Sequence, residues 1–218
     1  MQLQGNFLFQ NNKQTLYITF GSIAEYLGYK NETVITEKMP TSPISDYAIS
    51  KSVAYNCINS ILDENKTFHH LNLTLSSVYG GLEDQSRLIQ KIYTGLKNKT
   101  DIQISNSKNK RDYVYVEDIC KCISNLINLF RNNLLNNYSN ERIFVASGFL
   151  YTNKEIFKII SKLMNKDKSN IKYVITNQRE SSLYNESLSF SNKKFINILG
   201  SFPKDIKDIK NINNIVNN

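Results

Sequence analysis

The sequence predicts an α/β protein, a parallel sheet flanked by helices with a smaller C-terminal α/β lobe. Short β-rich runs alternate with helical patterns along the chain, the ordering that builds parallel sheets. Thr15–Phe20 reads as a buried parallel strand. The 218 residues suffice for one sizeable core, or a core plus a lobe.

The elements are predicted as follows. Residues 1–11 read as the end of a helix and 15–20 as the first strand. Residues 27–45, rich in Gly, Asn and Thr and holding Pro40 and Pro43, read as a long loop over one end of the sheet. A helix then runs from Asp46 to about Asn65, where Val53/Ala54, Cys57/Ile58 and Ile61/Leu62 form an apolar stripe at helical spacing. Thr67–Leu75 is the next strand, and Ser76–Asp84 a turn at its C-terminal end, where open α/β sheets bind ligands. Ser86–Leu96 reads as a helix, Ile102–Ser105 as a strand and Asn106–Lys110 as a polar turn. Arg111 opens the strand-like Asp112–Val116, and Glu117–Phe130 is helical. Arg142–Ala146 is a strand, followed by a helix over Thr152–Met164. Thr152 is its N-cap, Glu155 completes a capping box, and Ile156, Ile159, Ile160 and Leu163 form its buried stripe. A strand at Ile171–Ile175 and a helix near Ser191–Leu199 follow, with a fraying end from Lys204.

Composition excludes several classes. Forty per cent hydrophobic and 21% charged residues are ordinary for a soluble globular protein. No apolar run approaches the roughly 20 residues needed to span a bilayer, and the N-terminus lacks a signal-peptide pattern. A cytoplasmic location with no membrane partner is expected. The net charge of +8 comes from lysines spread among asparagines rather than a basic run interleaved with aromatics, so nucleic acid is not an expected partner. Cys120 and Cys122 fall in a predicted helix with no histidine cluster, short of the four ligands of a zinc site. His69 and His70 open a strand and point to opposite faces. No metal is expected.

Tyr47 and Lys51 carry the chemistry. Residues at i and i+4 share a helix face, so the phenol and the ammonium lie side by side. A neighbouring cation favours the phenolate over a neutral phenol of pKa about 10. A hydroxyl such as that of Ser22 could then polarise a carbonyl or alcohol while the tyrosine moves the proton. This suits alcohol oxidation or ketone reduction, with a cofactor carrying the hydride. Tyr-x-x-x-Lys alone is a weak signal, since chance pairs arise in a chain rich in both residues.

An ordered set of further segments is more specific. Thr15 to Tyr26 resembles the strand that delivers the catalytic Ser or Thr of extended short-chain dehydrogenase/reductases. Thr36-Glu37, Pro40, Pro43 and Tyr47 to Lys51 resemble that family's approach to its Tyr-x-x-x-Lys helix. Ser77-Val78-Tyr79-Gly80 is similar to its Asn-x-Tyr-Gly-Pro turn, with Ser77 in place of Asn and Gly81 in place of Pro. Arg111 to Asp118 resembles its Arg-Asp-aromatic-x-x-Val-x-Asp segment, and Leu199 to Pro203 its Leu-Gly-aromatic-x-Pro ending, with Ser201 at the aromatic position. Gln2-x-x-Gly5 stands where the family has Asn-x-x-Gly. From about residue 2 to 203 the chain resembles the NAD-dependent epimerase/dehydratase family, the sugar-nucleotide epimerase, dehydratase and reductase group.

The resemblance implies a partial doubly wound, Rossmann-like sheet. Residues 1–75 and part of 106–150 would form an incomplete dinucleotide-binding domain, with 76–105 and 150–218 as the sugar-nucleotide lobe. It implies NAD or NADP as cofactor and a nucleotide-linked sugar as substrate. Ser22, Tyr47 and Lys51 become the catalytic residues. Tyr47, Lys51 and Ser76 contact the cofactor, and Ser77, Arg87, Arg111 and Arg179 the substrate. For Arg111 the alternative is an ion pair with Asp112 or Glu117. Dehydratases of the group carry an acidic pair directly after the catalytic Thr, where this chain has Ile23-Ala24, with Glu25 one place later. That favours an epimerase or 4-ketoreductase.

The family's Gly-x-x-Gly-x-x-Gly turn, whose helix holds the cofactor diphosphate, has no counterpart here. The expectation is a truncated product, half of a split enzyme or a partial reading frame, whose activity alone is in question. A homodimer or a complementing N-terminal half is the expected protein partner. The alternative is a non-catalytic remnant or subunit that binds sugar nucleotide or pairs with a complete relative.

Overall fold

The structure is a computed structural model that describes residues 14–30, 33–62, 68–81, 83–105, 108–165, 173–176, 187–201, 203–209 and 212. In chain order its elements are β1 (Thr15–Ser22), a 3-10 turn (Ile23–Tyr26), β2 (Val34–Ile35), α1 (Asp46–Leu62), β3 (Phe68–Leu75) and β4 (Ser77–Tyr79). There follow α2 (Leu88–Asn98), β5 (Ile102–Ser105), β6 (Arg111–Tyr115), α3 (Val116–Arg131), β7 (Glu141–Val145) and β8 (Leu150–Tyr151). The last elements among the described residues are α4 (Asn153–Leu163), β9 (Tyr173–Thr176), β10 (Ser189–Phe190), α5 (Lys193–Leu199) and a 3-10 turn (Ile206–Asp208). The α/β class is as the sequence predicts. The predicted helix at 1–11 lies outside the described residues.

The central sheet is parallel, in the order β1-β3-β7. Its register sets Thr19 beside Asn72 and Asn72 beside Arg142. Because strand side chains alternate, β3 sends Leu71 and Leu73 to one face and His70, Asn72 and Thr74 to the other, all of them buried. The apolar face joins Ile143 and Val145 of β7 to Ile119, Cys122 and Leu126 of α3 and Phe195 of α5. The polar face lies under α1.

The predicted apolar stripe of α1 is only partly covered: Val53 is 52% and Ile61 60% exposed and Cys57 is exposed, while Ile58 and Leu62 are half-buried. Ala48 and Ser52 are the buried positions, and Lys51, Tyr55 and Asn59 meet the sheet. A polar sheet face attracts the polar helix stripe, because buried polar groups need partners.

The turn expected at 76–84 contains β4, which pairs in parallel with β6; β6 in turn pairs antiparallel with β8. The loop expected at 27–45 contains β2, which pairs with β10. A second core joins α2, β5, α4 and the final 3-10 turn through Ile92, Leu96, Ile102, Ile156, Ile160 and Ile206. Helix α4 starts as its sequence predicts: Thr152 accepts from the Glu155 amide, and Glu155 accepts from the Thr152 amide. Among the described residues no helix is long and apolar enough to cross a membrane, and no cluster of His, Cys, Asp and Glu is placed to hold a metal.

Candidate active site

At the C-terminal ends of β1 and β3 the chain encloses a cleft of about 690 Å³. Ser22, Tyr47, Lys51, Ser76, Ser77, Arg87 and Arg111 all line it. These are all the sequence-predicted site residues that the structure describes; Arg179 lies outside the described residues. Residues drawn from five separate elements or their flanks therefore converge on one space.

Ser22 ends β1 and caps the 3-10 turn. Its Oγ accepts from the Ala24 amide at 3.2 Å, which leaves its own proton to donate into the cleft. The Ser22 amide donates to Glu25 Oε1 at 2.9 Å. Gly21, just before it, admits no side chain: a Cβ there would stand 2.6 Å from Asn72 Oδ1 and 2.8 Å from Glu25 Oε1. Tyr47 sits in the first turn of α1, 57% exposed towards the cleft. Lys51 follows one turn later, with Nζ 5.9 Å from the Tyr47 ring centroid. Its ammonium donates to the Phe20 carbonyl at 3.1 Å, which ties the helix to the serine strand.

Glu25 does not enter the cleft. It is fully buried, and its Oε2 lies 2.8 Å from Arg142 Nη1. Ile23 and Ala24 line the cleft in its place.

Part of the lining is cationic. Arg87 precedes α2, and Arg111 opens β6; both are exposed and face the cleft. Among the described residues Arg111 forms no ion pair. Asp112 beside it is occupied, accepting from the Ser147 and Gly148 amides and the Ser147 hydroxyl. Burial pushes the Asp112 carboxyl above its ordinary range against these bonds. The Ser147-Gly148 turn takes a positive φ of 81° at Gly148, a conformation open to glycine.

Sequence reasoning missed Lys110, Leu188 and Phe190, which also line the cleft. Lys110 stands next to Arg111 in a basic cluster, a signal available in the sequence. Leu188 and Phe190 reach the cleft because β10 pairs with β2, and nothing local announces that.

The fold is an open α/β scaffold with a cleft at the strand ends, where such sheets bind ligands. The GDP-mannose 4,6 dehydratase family model matches residues 8–216. The chain belongs to that family. Among curated relatives, the CDP-abequose synthase of Salmonella muenchen is 25% identical over 154 residues, covering 71% of this chain and 50% of the relative. The chain thus spans about half the length of that relative. Among solved structures, a dTDP-glucose 4,6-dehydratase from Bacillus anthracis in complex with NAD superposes with a TM-score of 0.72 at 19% identity, covering 97% of this chain and 64% of that one. The UDP-glucose 4-epimerase of Thermotoga maritima with UDP-glucose gives a TM-score of 0.70 at 20% identity, covering 89% and 61%. These likenesses establish the extended short-chain dehydrogenase/reductase fold.

Proposed function

We propose that the chain carries the catalytic part of an NAD- or NADP-dependent sugar-nucleotide epimerase or 4-ketoreductase. The observation that carries this reading is the convergence of Ser22, Tyr47, Lys51, Ser76, Ser77, Arg87 and Arg111 on one cleft. Tyr47 takes the proton from a sugar hydroxyl on oxidation and returns it to the carbonyl oxygen on reduction. The Ser22 hydroxyl donates to the same oxygen and fixes its position. Arg111 and Arg87 hold the nucleotide diphosphate, which suits the forked guanidinium donors. Ser77 reaches the sugar with a shorter side chain than asparagine.

The residues fit the nicotinamide–ribose end of a dinucleotide. Lys51 and Tyr47 offer a cation and a hydroxyl at the cleft, and Ser76 lines the same cleft. When bound, the cofactor supplies the hydride acceptor or donor. For the diphosphate end this chain has no glycine turn. We assign that end to a complementing N-terminal half, and residues 1–75 with part of 106–150 to the dinucleotide-binding side. The sugar-nucleotide lobe then comprises 76–105 and 150–218, and a cytoplasmic location belongs to the same reading.

Ile23 and Ala24 at the cleft, with Glu25 turned into the core, favour epimerisation or reduction over elimination, which needs an acid–base pair there. In an active assembly, Tyr47→Phe should abolish nearly all turnover while the melting temperature stays unchanged. Full activity of that variant removes Tyr47 from the mechanism.

A further inference from the structure

The row Tyr47, Lys51, Tyr55 and Asn59 runs along one face of α1 at i, i+4 spacing, and its last three members are attached to the sheet. Lys51 donates to the Phe20 carbonyl. The Arg142 guanidinium lies over the Tyr55 ring, with Cζ 4.0 Å from the ring centroid. Asn59 Oδ1 meets His70 Nδ1 at 2.6 Å. Arg142 is 6% exposed and grips Glu25, which is fully buried. Glu25 in turn accepts from the Ser22 amide. One guanidinium therefore touches both the carboxylate that holds Ser22 and the helix that carries Tyr47 and Lys51.

A hydrogen-bond relay runs beside it. The Thr74 hydroxyl donates to Asn72 Oδ1, and Asn72 Nδ2 donates to Thr19 Oγ1. The Thr19 proton is then left for His70 Nε2, 2.7 Å away, which places the imidazole proton on Nδ1, facing Asn59 Oδ1. Such contacts are directional and define one placement of helix on sheet, where interchangeable methyl groups tolerate sliding.

We propose that Arg142 is a positioning residue for the reaction assigned above. Its contact with the Tyr55 ring and its ion pair with Glu25 fix α1 along its axis, and so set Tyr47 and Lys51 against Ser22. This inference rests on the reading of those three residues as the reactive set.

The test compares two variants of the full chain by NMR, with 15N labelling and 13C-labelled tyrosine rings. Glu25→Gln with Arg142→Met removes the brace and leaves no lone buried charge, and the glutamine still completes the capping box. Leu126→Ala loosens the opposite, apolar face of the same sheet. The readouts are the Tyr47 ring signals and the Gly21 amide signal, which belongs to the peptide whose carbonyl accepts from Lys51. Tyr47 lies two helical turns, about 12 Å, from Tyr55, so its signals report movement of the helix rather than loss of the contact itself.

Both readouts are expected to move in the double variant and to stay in place in Leu126→Ala, even where the latter lowers the melting temperature as much. Unmoved signals in a folded double variant overturn the proposal, as does equal movement in Leu126→Ala. If the double variant fails to fold, Arg142→Lys keeps a charge for Glu25 without the guanidinium over Tyr55. It should move the same two signals, and their constancy overturns the proposal. No turnover is needed, so a negative result leaves the Tyr47 assignment standing. Conversely, a fully active Tyr47→Phe enzyme removes that assignment without touching the brace.

Discussion

The two faces of the β1-β3-β7 sheet are built on opposite principles. On one, Leu71, Leu73, Ile143 and Val145 pack against α3 and α5, and stability comes from area removed from water, without regard to direction. On the other, Arg142 and His70 meet Tyr55 and Asn59 of α1, backed by the Arg142–Glu25 ion pair and the Thr74–Asn72–Thr19–His70 hydrogen-bond relay. The helix on the directional face carries Tyr47 and Lys51. A catalytic geometry needs one placement more than it needs affinity, and the polar layer provides it at the risk of large penalties when a single partner is lost.

That difference is open to attack by mutation. Arg142→Met alone strands Glu25 as a buried charge and should lose about 3–5 kcal/mol in denaturant unfolding, while adding Glu25→Gln should recover a large part of the loss. Simple additivity of the two would contradict a coupled brace. On the apolar face, Leu73→Ala should lose about 2–5 kcal/mol. It should add to Leu126→Ala up to the direct coupling of neighbours, with the Tyr47 signals in place. Gly21→Ala forces its methyl against Asn72, Thr74 and Glu25 and should cost about 1–3 kcal/mol by overpacking. It should also shift the Ser22 amide signal; a wild-type melting curve would show that the strand end has room.

A further effect concerns pH. Burial, with Arg142 nearby, holds the His70 imidazole down at about 4 in the folded chain, below the ordinary value near 6.5. Between these values the unfolded chain binds more protons, so stability rises with pH across that window. It is complete above about 6.5 and is lost as pH falls through about 4. Denaturation midpoints measured from pH 4 to 7 should show this slope, and His70→Gln should flatten it. An unchanged slope would assign the acid sensitivity to other groups.

Much of this was legible in the sequence, and the misses have a common physical origin. Tyr47, Lys51, Ser22 and Arg111 stand out through spacing and order, and the structure brings them to one cleft. The alternation His70-Leu71-Asn72-Leu73-Thr74 is a readable strand pattern, but it does not say what the polar face meets. Helix α1 shows the consequence. Val53, Cys57 and Ile61 form a regular apolar stripe, and the usual inference turns such a stripe inward. Here the sheet beneath offers His70, Asn72 and Arg142, so Lys51, Tyr55 and Asn59 face in. Periodicity locates a stripe; the partner surface decides which stripe is buried. Glu25 and Arg142 lie 117 positions apart, and only the register of β3 with β7 places the arginine under Tyr55. Phe190 reaches the cleft through the equally nonlocal pairing of β10 with β2.

The most direct measurement is a calorimetric titration of the folded full chain with a panel of UDP-, dTDP-, CDP- and GDP-sugars, repeated with Arg111→Ala. Binding of at least one nucleotide sugar is predicted. Its affinity should fall about 10- to 100-fold in the variant, as expected for lost charge-assisted hydrogen bonds, with the melting temperature unchanged. A folded chain that binds none of them, or an Arg111→Ala variant that binds as tightly as the parent, would contradict the assignment of the cleft.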